Sequence, residues 1–167
     1  ESIVFDYNFE SEFPAKVEED ASRIPNEVDP AEIKKRKDMR EVFTITIDPF
    51  DAKDFDDAIS LQKLGNGLWE VGVHIADVSH FVRPGSAIEE EAYKRATSIY
   101  LVDRVIPMLP EKLSNGLCSL KPKVDRLTMV CEMEISALGE MTSYKFYEAV
   151  IHSHGRLTYN EVADIVQ

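Results

Sequence analysis

Between residues 45 and 60 the chain reads ITIDPFDAKDFDDAIS, which sets five aspartates (Asp48, Asp51, Asp54, Asp56 and Asp57) within ten positions, with apolar runs on either side. Like charges this close repel, and any carboxylate taken out of water must be neutralised by a proton, a cation or hydrogen bonds. A fold built on this stretch must either leave it wet or bring positive charge to it.

The flanking patterns place the run in a connection between strands. VFTITID alternates with period two, so Val42, Thr44 and Thr46 share one face and Phe43, Ile45 and Ile47 the other. DAISLQKL and LWEVGVHIA, joined by the Gly65-Asn66-Gly67 turn, predict a hairpin, because that turn tolerates the left-handed backbone such a connection needs. A second hairpin is predicted across RLTMVCEMEISALGEMTSYKFYEAVIHSH, turning at ALGE. Helices are expected at PAKVEEDASRI, at DPAEIKKRKDM with Asp29 as N-cap and Pro30 in the first turn, at SAIEEEAYKRAT with Ser86 as N-cap, and at LTYNEVADIVQ. A short helix over PEKLSNGL is expected to end at Asn115-Gly116. Strands in hairpins together with separate helices predict an α/β fold of the α+β type: a mixed, largely antiparallel sheet flanked by helices.

Hard oxygen ligands converging from a bend can hold one or two Mg²⁺ ions that keep open positions for water and for phosphate oxygens. Two such ions can activate a water and stabilise a departing oxygen in phosphodiester hydrolysis. A solvated acidic loop accounts for the same spacing and stays open as an alternative. A calcium loop fits poorly, since the alternating Asp, Asn and Gly pattern closed by a Glu is absent.

Composition narrows the setting. At 167 residues and 44% hydrophobic the chain can bury a core. No apolar run approaches the roughly 20 residues of a bilayer span, so no membrane partner is expected. Cys118 and Cys131 form no CxxC pair and are expected as free thiols in a reducing cytoplasm. The net charge of −12 argues against a simple polyanion binder, yet residues 101–130 are net basic. Lys121, Lys123 and Arg126 in that stretch are candidate phosphate contacts, although surface cations of this kind usually face solvent only.

Four stretches in order, TIDPFDAKDFDDAIS, VGVHIADVSHFVRPGS, RATSIYLVDRVIPMLPEKLSNGLCSLKPKVDRLTMVCEM and YKFYEAVIHSHGRLTY, resemble the catalytic (RNB) domain of the ribonuclease II family, and in particular its bacterial branch. The likeness covers residues 42–167, which correspond to the N-terminal part of that domain. Residues 1–41 resemble the segment leading into it.

The resemblance implies a processive 3′-to-5′ exoribonuclease that hydrolyses single-stranded RNA to nucleoside 5′-monophosphates with Mg²⁺, two ions in the catalytic complex. It carries the metal-ligand role onto Asp48, Asp54, Asp56 and Asp57, with Asp56 and Asp57 as the catalytic residues, and leaves Asp51 to loop structure or to charge behind the ligands. It marks Tyr100 as an aromatic stacking near the 3′ end of the RNA, where the ring face and not the hydroxyl is expected to matter. Residues alone would place Tyr100 in the core. His74 and His80 are expected to be structural, His74 half-buried in its strand, and Asp77 to cap the turn that follows it. The later arginine-rich family motif and the cold-shock and S1-type RNA-binding domains are not in the chain. The piece is therefore expected to be inactive alone, to leave sheet edges or apolar faces open, and to need the remainder of its parent chain. A non-catalytic RNA-binding or scaffold member of the family is the alternative.

Overall fold

The alternation in residues 42–48 does become a strand, but the face that goes inside is the polar one. The computed structural model describes residues 10–167; of the lead-in segment, residues 1–9 lie outside the described residues. In β2 (Thr44–Asp48) the buried side chains are Thr44, Thr46 and Asp48, while Ile45 and Ile47 are half-exposed. β3 (Asp57–Lys63) and β4 (Trp69–Ala76) form the expected hairpin around Gly67, whose φ of 84° needs glycine. β7 (Asp125–Ile135) and β8 (Met141–His152) form the second hairpin, with Gly139 in the same left-handed region.

These strands join β1 (Lys37–Asp38) and β9 (Gly155–Thr158) in a seven-stranded sheet ordered β1-β8-β7-β4-β3-β2-β9. The interior pairs are antiparallel, and the two outermost pairs, β1 with β8 and β2 with β9, are parallel. The mixed, largely antiparallel sheet flanked by helices is as expected. A two-stranded ribbon, β5 (Ile99–Tyr100) with β6 (Val105–Ile106), lies outside the sheet.

One face of the sheet carries the core. Ala58, Ala76, Leu127, Val130 and Val150 pack with Val17 and Ala21 of α1 (Ala15–Arg23), Ile88 of α4 (Ala87–Arg95), and Leu113, Leu117 and Leu120. Val28 and Met39 join the same cluster, so the residues preceding β2 form an outer layer that shares the core. Asp29 caps α2 as expected, accepting from Ala31 N–H at 2.8 Å, but α2 is only Pro30–Ile33. The helix expected to run on through Met39 gives way to β1, because pairing with Ala149 and Val150 satisfies Lys37 and Asp38 in the sheet. Residues Leu113–Leu117 form a wide π-type turn whose helical backbone breaks at Gly116, with φ −117° and ψ −106°, where the Asn115-Gly116 signal places the stop.

The other face is open. Side by side across the strands run Ile45, Ile59, Val73, Cys131 and Phe146, and next to them Leu61, Val71, Met133 and Tyr144. Phe146 is 68% exposed and makes an edge contact with Tyr144. A continuous apolar face of this kind is unusual on a soluble surface and marks a contact area. Among the described residues no helix is long and apolar enough to cross a membrane.

Buried ion pairing ties the outer layer to the sheet. Arg36 meets Asp77 at 2.7 Å with both side chains almost wholly inside, and Glu32 lies 3.1 Å from the same guanidinium. Asp77 caps α3 (Val78–Phe81) as expected, accepting from His80 N–H and Ser79 Oγ. His74 is fully buried, not half-buried, and pairs with Ser60 Oγ at 2.9 Å. Burial pushes its pKa down to about 4, so the ring is neutral near pH 7.

Candidate active site

The aspartates sit where two neighbouring strands part. β2 and β3 pair at Thr44 with Ser60 and Ile45 with Ile59, after which β2 continues to Asp48 alongside β9 and β3 begins at Asp57. The connection of residues 49–56 spans the gap, and alternation sends Asp48 to the helix-covered face and Asp57 to the open one. Asp48 and Asp57 thus approach the gap from opposite faces of the sheet, with Asp56 and Asp54 between them in sequence.

The backbone of this connection is pinned at three points. Ser119 Oγ donates to the carbonyl of Lys53 at 2.7 Å and accepts from Phe55 N–H at 3.1 Å, and Leu120 N–H donates to the Phe55 carbonyl at 2.7 Å. From the other side Arg156 of β9 donates to the carbonyls of Pro49 and Phe50, the latter at 2.7 Å, with its guanidinium 5.1 Å from the centre of the Phe55 ring. Phe55 itself is buried, which anchors the segment between Asp54 and Asp56.

Electrostatics at the gap follow from burial and like charge. Burial raises the pKa of Asp48, the Thr46 side chain and the Arg156 charge pull it down, and the charges of Asp57 and Asp56 add to the rise. Burial and then the Asp56 charge raise that of Asp57. Asp48 is 7% exposed, and its Oδ2 has no hydrogen-bond partner. Asp54 accepts a hydrogen bond from the Tyr100 hydroxyl at 2.5 Å. That bond, followed by burial and by the charges of Asp54 and Asp56, pushes the phenol up to about 12. Among the described residues no three His, Cys, Asp or Glu side chains close into a ligand set by themselves. Asp48, Asp56 and Asp57 are within electrostatic range of one another, whereas Asp54 is turned to Tyr100.

Beside the connection opens a cavity of about 430 Å³ lined by Asp51, Lys53, Asp54, Tyr100, Arg104 and Asn115, among others. The Tyr100 ring is 65% exposed at its rim, so it is not a core residue. The candidate phosphate contacts separate into two groups. Lys123 is exposed and Lys121 half-buried, but Arg126 is turned inward, donating from Nε to the carbonyl of Ser119 at 2.8 Å, with burial lowering its pKa. Arg126 thereby braces the residue that clamps Lys53 and Phe55. Sequence reasoning did not single out Ser119 or Arg156: both act through the main chain of residues far away in sequence, and no local pattern signals that.

Residues 36–167 match the RNB domain family. Ribonuclease R of Escherichia coli is 53% identical over 156 residues, covering 93% of this chain and 19% of its own length, so the chain spans about a fifth of that relative. The solved structure of Mycoplasma genitalium RNase R in complex with ribose-methylated single-stranded RNA superposes with a TM-score of 0.93 at 36% identity, over 99% of this chain and 26% of that one. Yeast Ssd1, a pseudonuclease, shares the fold, with a TM-score of 0.83 at 21% identity over 99% of this chain and 21% of its own.

Proposed function

Because the chain belongs to the RNB domain family, we propose that it is the aspartate-bearing part of a 3′-to-5′ exoribonuclease that hydrolyses single-stranded RNA processively to nucleoside 5′-monophosphates. Residues 42–167 supply the N-terminal part of the catalytic domain, residues 1–41 lead into it, and the parent works in the cytoplasm. The observation that carries this reading is the buried Oδ2 of Asp48, which has no hydrogen-bond partner and belongs to a carboxyl whose pKa is raised by burial and by the nearby charges of Asp57 and Asp56. An arrangement that is costly for carboxylates alone is favourable around a hard divalent cation.

The donor chemistry suits Mg²⁺: Asp48, Asp54, Asp56 and Asp57 would supply hard carboxylate oxygens from two strand ends and a pinned connection, closing on the ion when it binds. When bound, the metal supplies charge for activating water and for stabilising the departing oxygen. Asp56 and Asp57 are the exposed members, and in this reading they are the ones that meet the substrate. Asp48 is set by β2 and β9, and Arg156 and Ser119 hold the intervening main chain in place. Tyr100 presents its ring at the adjoining cavity, where a 3′-terminal base can stack on it. Lys121 and Lys123 lie in the basic stretch available to the RNA backbone. The remainder of the parent chain covers the open sheet face and brings positive groups to the scissile phosphate, so this part alone is inactive.

Retention of all four aspartates argues against the non-catalytic alternative, even though a pseudonuclease shares the fold. The test is the Asp56→Asn variant of the full-length protein on single-stranded RNA with Mg²⁺. Monophosphate release should nearly vanish while RNA binding persists, since most affinity comes from distributed phosphate contacts. Near-normal release by this variant sinks the assignment.

A further inference from the structure

The Tyr100 hydroxyl has a job that stacking does not explain. The main chain around Asp54 is held on both sides, at Lys53 and Phe55, by Ser119 and Leu120. The freedom left to Asp54 is therefore that of its side chain, and a carboxylate on a rotatable stem presents either oxygen to a ligand. Tyr100 removes that freedom. Its hydroxyl reaches across 46 residues of sequence to donate to Asp54 Oδ2 at 2.5 Å.

We propose that Tyr100 is a positioning residue for Asp54: its hydroxyl holds Oδ2 and so fixes the carboxylate, leaving Oδ1 as the oxygen that would meet a divalent cation. This rests on the metal-ligand reading of the aspartates given above. It also ties two ends of the site together. The ring that meets the terminal base and the hydroxyl that orients a metal ligand belong to one side chain, on a two-stranded ribbon outside the main sheet. The hydroxyl is thus expected to matter, in contrast to the sequence-based expectation that only the ring does.

The experiment is Mn²⁺ binding to the full-length protein without RNA, measured as free Mn²⁺ by electron paramagnetic resonance, for the wild type, Tyr100→Phe and Asp54→Asn. Tyr100→Phe keeps the ring and removes only the donor. It is expected to weaken Mn²⁺ roughly 10-fold, the usual loss when a group that orients a ligand is removed, at an unchanged melting temperature. Asp54→Asn is expected to weaken Mn²⁺ at least as much. Wild-type affinity in Tyr100→Phe beside a weakened Asp54→Asn overturns the positioning role and leaves the metal site standing, as does a lowered melting temperature with Mn²⁺ affinity intact. Wild-type affinity in Asp54→Asn removes the metal-ligand reading of that residue, and the positioning role with it.

Discussion

Arg156 donates from Nη2 to the carbonyl of Phe50 at 2.7 Å, so a side chain on the last strand of the sheet holds the turn that follows Asp48. The same nitrogen also reaches the carbonyl of Pro49. Arg156→Met should free this turn. In the full-length protein, RNA turnover should fall by roughly 10-fold, the scale on which supports of a metal ligand act. Amide exchange at Ala52, whose N–H bonds the Pro49 carbonyl, should quicken in parallel. Unchanged exchange there would mean that Arg156 is not the clamp.

Arg36 and Asp77 are 2% and 4% exposed, which makes this pair an anchor of a different kind. Burial works to raise the Asp77 pKa, but hydrogen bonds from Ser79 and Arg36 outweigh it and hold the carboxyl below its usual range. Asp77→Ala leaves the guanidinium buried with Glu32 at 3.1 Å and the exposed Glu148 at 3.9 Å as its remaining carboxylates and should cost about 3 kcal/mol, read as a shift in the urea midpoint. A double variant, Arg36→Met with Asp77→Leu, should recover much of that loss, because it removes both charges together. A loss no larger than that of a surface substitution would contradict the anchoring role.

His74 gives the fold an acid limit. Its folded-state pKa lies at about 4 against 6.5 for an unburied ring, and burial is the cause. The unfolded chain therefore binds the proton first as pH falls, so stability is retained above pH 6.5 and declines between 6.5 and about 4. The full effect is on the order of 3 kcal/mol. Urea midpoints measured across this range for wild type and His74→Gln should diverge in slope, the variant being flatter. Parallel slopes would show that His74 does not carry the dependence.

The two thiols report on the two faces of the sheet. Cys118 lies in the core, where burial pushes its thiol up to about 12, and Cys131 lies half-buried on the open face between Val73 and Phe146. In the isolated chain a thiol reagent at neutral pH should modify Cys131 and leave Cys118 untouched until the protein is unfolded. In the full-length protein Cys131 should be protected as well. Equal labelling of Cys131 in both would show that nothing covers the open face.

Much of this was legible in the sequence because it is local. The period-two stretches became β2, β3, β4, β7 and β8, the Asn66-Gly67 and Leu138-Gly139 signals became turns, and Ser86 caps its helix by accepting from Glu89 N–H at 3.1 Å. What escaped is what depends on partners far along the chain. Alternation shows that Thr44 and Thr46 share a face but not that this face is the buried one. Lys37 and Asp38 have helix-compatible neighbours, yet pairing with β8 makes them a strand. Arg126 looked like surface charge until the Ser119 carbonyl claimed it, and the Tyr100 hydroxyl is explained only by where Asp54 lies.

The parallel pairing of β2 with β9 has a consequence in time. Ile45 meets Gly155, and the Thr44 amide bonds His154 across 110 residues of sequence, so the strand that ends in Asp48 lacks its outer neighbour until nearly all of this chain has been made. Closing so long a loop is among the slow steps of folding. A chain emerging from the ribosome would assemble its two hairpins early and gain the geometry around Asp48 last. During synthesis, the turn at Pro49 and Phe50 thus waits for Arg156 to brace it, whereas the stretch around Asp54 can already be held by Ser119 and Leu120.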